Sequence, residues 1–163
     1  MKRIMASTVT ASTLTVSLTE SINLNGQEMG ATNTKTIASI NEISKRIVTV
    51  TTAEAVIATF SSAVASAGHY VAANVRYVRF TNLDDSNFIT LTFRNQDNDE
   101  VAIKLDAGQS FVWNGDNANG MTAVFNATQD ADAASDTAFG SLTNVQADAN
   151  NNPCDLEIFV ASV

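Results

Sequence analysis

The chain has 163 residues, 45% of them hydrophobic and only 16% charged, with Thr, Ser, Ala and Asn making up the difference. That length supports one domain with a self-sufficient core, and the composition is too apolar and too weakly charged for disorder. The net charge is −8, and of nine Lys and Arg only Lys2-Arg3 and Lys45-Arg46 are adjacent; this lacks the clustered basic surface that phosphate neutralisation needs, so nucleic acid is not an expected partner.

Met1-Lys2-Arg3-Ile4 resembles the start of a signal peptide, but the polar run Ala-Ser-Thr-Val-Thr-Ala-Ser-Thr follows where an apolar segment would be required. No stretch approaches the roughly 18 apolar residues of a membrane span, so no membrane partner is expected. Synthesis in a cytoplasm is the expectation, with export only inside a larger particle. Residues 1–12 are small and polar and read as an arm that a partner orders. Leu14, Val16 and Leu18 alternate with Thr and Ser and predict a first strand. Ile22 and Leu24 lead into Asn25-Gly26, a pair that tolerates positive φ and signals a hairpin. Gly30 to Asn33 reads as a loop.

Ile37, Ile40, Ile43 and Ile47 then recur at spacings of three, three and four, which fits one face of a helix with Glu42, Lys45 and Arg46 outside. Thr34, Thr36, Val48, Thr49 and Val50 favour strands instead. Two strands broken near Asn41-Glu42 are the preferred reading. Val56, Ala58 and Phe60 alternate in another strand, and residues 61–68 form a small-residue loop with room for a short helical turn.

Residues 74–113 carry the clearest pattern. Val78 and Phe80, then Ile89, Leu91 and Phe93, then Val101, Ile103 and Leu105 each alternate with polar or small residues. Short polar breaks at 83–87 and 95–100 separate them, and the whole stretch predicts a β-meander buried on one face. Residues 114–120 read as a loop, 121–125 as a short strand, and 126–140 as an acidic excursion or one helical turn. Residues 142–147 are a further strand candidate, 150–153 a turn, and Leu156, Ile158 and Val160 the inward positions of a last strand with Glu157 outward. Eight to ten short strands with polar turns predict an all-β, antiparallel β-sandwich or jelly roll. The expected division is an N-terminal arm and hairpin at 1–30 and a single sandwich domain at 31–163.

Catalytic and metal sites are not expected. His69 is the single histidine, no Gly-x-Ser-x-Gly is present, and one histidine cannot complete a two-histidine zinc motif. The clusters Asp84-Asp85-Ser86-Asn87 and Asp97-Asn98-Asp99-Glu100 offer oxygen ligands but do not match a Ca²⁺ loop, and side-chain capping of turns explains them, as it does Asp130, Asp132 and Asp136. Cys154 stands alone beside an apolar strand and reads as a buried, inert thiol. Trp113 and Tyr77 offer two rings on which a sugar could stack, although a tryptophan at a strand end is more often an anchor.

Three segments carry a resemblance: the run Asn74-Val-Arg-Tyr-Val-Arg-Phe-Thr-Asn-Leu-Asp-Asp-Ser-Asn-Phe, the corner Lys104-Leu-Asp-Ala-Gly-Gln-Ser-Phe, and the terminal Asp155-Leu-Glu-Ile-Phe-Val-Ala-Ser-Val. Over residues 35–163 the chain resembles small β-rich virion structural proteins of tailed marine bacteriophages. The resemblance implies a non-enzymatic particle component without cofactor, located in the virion. The expected role is a capsid decoration or cement protein on the outer shell, contacting the major capsid protein or other virion proteins. A neck, collar or tail component and a carbohydrate-binding jelly-roll module are the alternatives. The neutral, hydroxyl-rich strand faces predict a homo-oligomer, and the local three-fold axes of a capsid lattice point to a trimer.

Overall fold

The computed structural model describes residues 9–63, 66–113 and 142–163. Expectations for residues 1–8, 114–120, 121–125 and 126–140, including Asp130, Asp132 and Asp136, lie outside that range. The described chain is all-β. Its strands are β1 (Ser12–Thr19), β2 (Asn23–Leu24), β3 (Gln27–Glu28), β4 (Thr32–Ile40), β5 (Glu42–Val50), β6 (Ala55–Ser61) and β7 (His69–Val71). Then come β8 (Val75–Asn82), β9 (Ile89–Asn95), β10 (Glu100–Leu105), β11 (Ser110–Trp113), β12 (Leu142–Ala149) and β13 (Cys154–Ser162). One 3-10 turn, Ala72–Asn74, precedes β8.

Two sheets pack face to face. One has the order β10-β9-β12-β6-β7 and the other β11-β8-β13-β5. Every pairing among the described strands is antiparallel except the short parallel contact of β6 with β7. The alternating apolar positions of both sheets meet in one core that includes Ala58, Phe60, Val78, Phe80, Ile89, Leu91, Phe93, Val145, Leu156, Ile158 and Val160. Phe80 and Phe93 meet edge to face across the sandwich, ring centroids 6.2 Å apart, the geometry aromatic quadrupoles favour. Val101 and Ile103 are half-buried rather than buried, because β10 is an edge strand with a neighbour on one side only.

The expected meander at 74–113 is corrected. Only β9 and β10 form a hairpin; β8 and β11 pair with each other in the opposite sheet. The chain therefore crosses between sheets at 83–88 and returns at 106–109. Asn82, fully buried, fastens both crossings. Its Nδ2 donates to the carbonyls of Asn87 at 2.8 Å and Leu105 at 3.1 Å, and its Oδ1 accepts from the Asp84 amide at 3.0 Å. A buried amide satisfied on both ends in this way is a specific staple, since each lost partner would leave a desolvated backbone group.

Residues 34–50 are strands. The helix-like isoleucine spacing has three local causes. Ser39 sits at φ +64°, a left-handed conformation that shifts the phase of β4 so that Ile37 and Ile40 both face inward. Asn41 then breaks β4 from β5, and Ile43 and Ile47 fall on one exposed face of β5. The loop expected at Gly30 to Asn33 is shorter, since Thr32 and Asn33 already belong to β4. No helical turn occupies the described part of 61–68; it falls at Ala72–Asn74 instead.

Among the described residues, strands β1 and β4 pair only with each other and make a separate ribbon. The ribbon lies on the outer face of the β11-β8-β13-β5 sheet. There Leu14, Val16, Ile37 and Ile40 form a second core with Tyr77, Phe159, Ala161 and Val163. Tyr77 and Phe159 meet edge to face at 5.7 Å beneath it. The molecule thus has three layers, and the ribbon joins residues on both sides of position 30.

Candidate interaction surface

The ribbon's far end presents the largest group of unburied apolar side chains among the described residues. Leu18, Ile22, Leu24 and Met29 are 61%, 53%, 57% and 63% exposed. Leu18 continues the inward face of Leu14 and Val16, yet lies past the residues that cover them.

The tip is built to hold its shape. Asn25 at φ +52° and Gly26 at φ +82° form the tight turn between Leu24 and Gln27, the left-handed pair that a two-residue hairpin needs. The Gly26 amide donates to Asn23 Oδ1 at 3.1 Å. Glu28 Oε1 accepts from the amides of Ile22 at 3.2 Å and Gly30 at 2.8 Å. At Gly30 a β-carbon would collide with the Glu20 carbonyl oxygen, so glycine is required where the two chains close up. Hydroxyl pairs Ser17–Thr34 and Thr19–Thr32, both 3.2 Å, tie the strands behind the tip. Burying an apolar side chain fully is worth about 1.5–3 kcal/mol, so four half-exposed ones offer a substantial driving force to any surface that covers them.

Next to the ribbon, the sheet's outer face is charged. Glu157 is bridged by Arg79 on β8 and by Lys45 on β5, the latter at 3.0 Å, and Arg79 also lies over the Phe159 ring. A groove of about 350 Å³ runs between β1 and β5, lined among others by Val9, Leu14, Ile40, Ile43 and Phe159.

The described residues considered for chemistry have structural partners. Asp84 Oδ1 accepts from the amides of Ser86 at 2.9 Å and Asn87, which holds its carboxyl below the usual carboxylate range. Asn95 Oδ1 does the same for Asp97 and Asp99 in the second turn. Cys154 is buried, and burial, followed by the nearby Asp84 carboxylate, pushes its thiol pKa up. Tyr77 is covered by the ribbon, while Trp113 packs against the sandwich core. Trp113 pairs with inward-facing Val78, so the two rings lie on opposite faces and form no common platform.

One pairing was not legible in the sequence. His69 belongs to β7 rather than a loop, and its Nε2 lies 2.6 Å from Ser61 Oγ. Ser61 Oγ also accepts the Ala63 amide at 3.0 Å, so this contact fastens β7 to β6. The parallel pairing that brings them together leaves no sequence signature.

Asp148 on β12 is the carboxylate placed at odds with its surroundings. Burial, then the neighbouring Glu54 carboxylate, raises its pKa. A raised folded-state value means that the folded protein holds the proton more tightly than the unfolded chain. The contribution of Asp148 to stability should therefore rise as pH falls through that value, and its ionised form should weaken the fold at neutral pH. Asp148→Asn is expected to raise Tm at pH 7 and to flatten the acid-side rise; thermal melts across pH check both.

Comparison with protein-family models, curated proteins and solved structures finds no match to this chain.

Proposed function

We propose that this chain is a non-enzymatic structural protein of a bacteriophage virion, a decoration or cement protein on the outer capsid shell. It docks there on the major capsid protein and on its own copies, assembled as a homotrimer. The observation that carries the reading is the ribbon: a shaped hairpin whose four large apolar side chains have no cover within the described chain. Exposed apolar groups concentrated on one rigid element mark an interaction site. The body beneath it supports the same reading. Asp84, Asn82 and Asn95 cap turns, and we read the strand order β5-β13-β8-β11 over β6-β12-β9-β10, with the short β7 beside β6, as a jelly roll, a fold common in capsid proteins.

The deciding experiment changes Leu18, Ile22, Leu24 and Met29 together to Ser. Because all four are exposed, the circular dichroism spectrum and Tm should stay close to wild type. Co-sedimentation with capsid shells that lack this protein should fall at least tenfold, and self-association should weaken. Undiminished capsid binding by the quadruple variant would remove the ribbon from the interface and the reading with it. Deleting residues 1–30 is a poorer test, since it strips β1 from β4 and uncovers Tyr77, Phe159 and Ala161. Copy number separates the shell from the neck or tail: a shell protein approaches the abundance of the major capsid protein, and a neck or tail component falls far below it. A glycan bound specifically by the purified chain would favour a carbohydrate-binding module instead.

A further inference from the structure

We propose that the free edge of β5 pairs antiparallel with the same edge of a second copy, about a two-fold axis at Lys45, joining two four-stranded sheets into one. Among the described residues the sandwich ends in four edge strands, β10, β7, β11 and β5. β5 is the longest, nine residues against six, three and four. It runs against β13 without a register shift and contains no proline. Such an edge offers a row of unpaired N–H and C=O groups, which folded proteins cover, bend or charge when they are to stay single. Here two large apolar residues, Ile43 and Ile47, stand exposed on its outer face.

The side chains select both the partner and the register. A two-fold axis perpendicular to the sheet keeps inner faces together and requires paired residue numbers to have a constant even sum. Centring on Arg46 would set Arg46 against its copy on the inner face, a like-charge pair. Centring on Ser44 would oppose Ile43 to Lys45 and engage only five residues. Centring on Lys45 pairs residues 42–48 with 48–42 and places Ile43 opposite Ile47 twice. The two lysines at the axis are each already neutralised by Glu157 of their own chain, at 3.0 Å.

The same register answers an unmet need. Arg46 Nη1 is buried, pressed against Gly68, and has no hydrogen-bond partner among the described residues. Glu42 is exposed and makes no ion pair among the described residues. With Lys45 on the axis, Glu42 of one copy lies diagonally across from Arg46 of the other, on the same face and within reach of long side chains. The second copy thus supplies a carboxylate to a guanidinium that has none among the described residues.

This contact is independent of any virion role and uses a different surface from the ribbon tip. Lys45→Cys, oxidised mildly in the purified full chain, should give a disulfide-linked dimer, because residues facing each other across antiparallel strands fall within disulfide range. The native Cys154 is buried and should not contribute. Ile43→Cys mixed with Ile47→Cys should cross-link, while either alone should not. Ile47→Lys, which places a charge at the seam, should halve the mass seen by sedimentation velocity without changing the circular dichroism spectrum. The quadruple tip variant should keep the Lys45→Cys cross-link. Failure of Lys45→Cys to cross-link, self-cross-linking of Ile43→Cys, or an unchanged mass for Ile47→Lys would overturn the proposal.

Discussion

Leu91→Ala is expected to cost about 2–5 kcal/mol, the usual penalty for emptying a core site that cannot collapse. Leu91 is fully buried in β9, flanked by Ile103 of β10 and Ala147 of β12. The opposing sheet cannot close over the gap easily, because Phe80 against Phe93 and Phe93 against Phe111 hold the layers apart nearby. Ile103→Ala, on the half-buried edge strand, should cost clearly less. Urea unfolding of both variants checks the order. Equal losses would mean that β9 and β10 are buried alike.

Asn82→Ala should cost about 3 kcal/mol or more. Two carbonyls and one amide lose their partner together. The bond to the Leu105 carbonyl is buried, and a buried backbone group left unsatisfied costs about 1–3 kcal/mol, with the part-buried Asn87 carbonyl and Asp84 amide adding smaller losses. Asn82→Asp separates hydrogen bonding from shape. The carboxylate retains the acceptor for Asp84 but faces the carbonyls of Asn87 and Leu105 with no donor. That variant should be destabilised at neutral pH and recover in part on acidification, as its carboxyl gains a proton to donate. A loss below about 1 kcal/mol in the Ala variant would show that water replaces the amide.

The inner faces of the sandwich were legible because burial on one side imposes period-2 alternation on Ile89, Leu91 and Phe93 and on Leu156, Ile158 and Val160. Which strand lies beside which was not. The pattern reports the face a residue occupies and is silent about its neighbour, so β8 through β11 read as a meander although they cross between sheets twice. Asn82 offers no sequence hint of its role, since a buried asparagine and a turn asparagine look alike. The isoleucines of 37–47 show a helix-like spacing because one positive-φ serine and one strand break imitate a three-residue period. The strand formers around them nevertheless favour two strands broken near Asn41-Glu42, and two strands are what form. At the candidate surface, the Asn25-Gly26 turn was visible, while the exposure of Leu18, Ile22, Leu24 and Met29 was not. The docking of Leu14 and Val16 over Tyr77 was not visible, because it depends on the outer face of a sheet whose order the sequence does not reveal.

The position of β13 has a consequence for how the molecule is made. This late strand lies at the interior of its sheet, between β5 and β8, pairing Cys154 with Val50 and Ser162 with Glu42. During translation the earlier strands leave the ribosome long before the strand that must separate and pair them. Until it emerges, β5 and β8 each lack their central neighbour, and the nascent chain carries open strand edges through most of its synthesis. Closing such distant pairings is slow, and chains waiting in that condition associate with one another. Crowded polysomes should therefore yield this protein less efficiently than slow, cool expression does, and truncations that remove β13 should accumulate as aggregates rather than as smaller folded units.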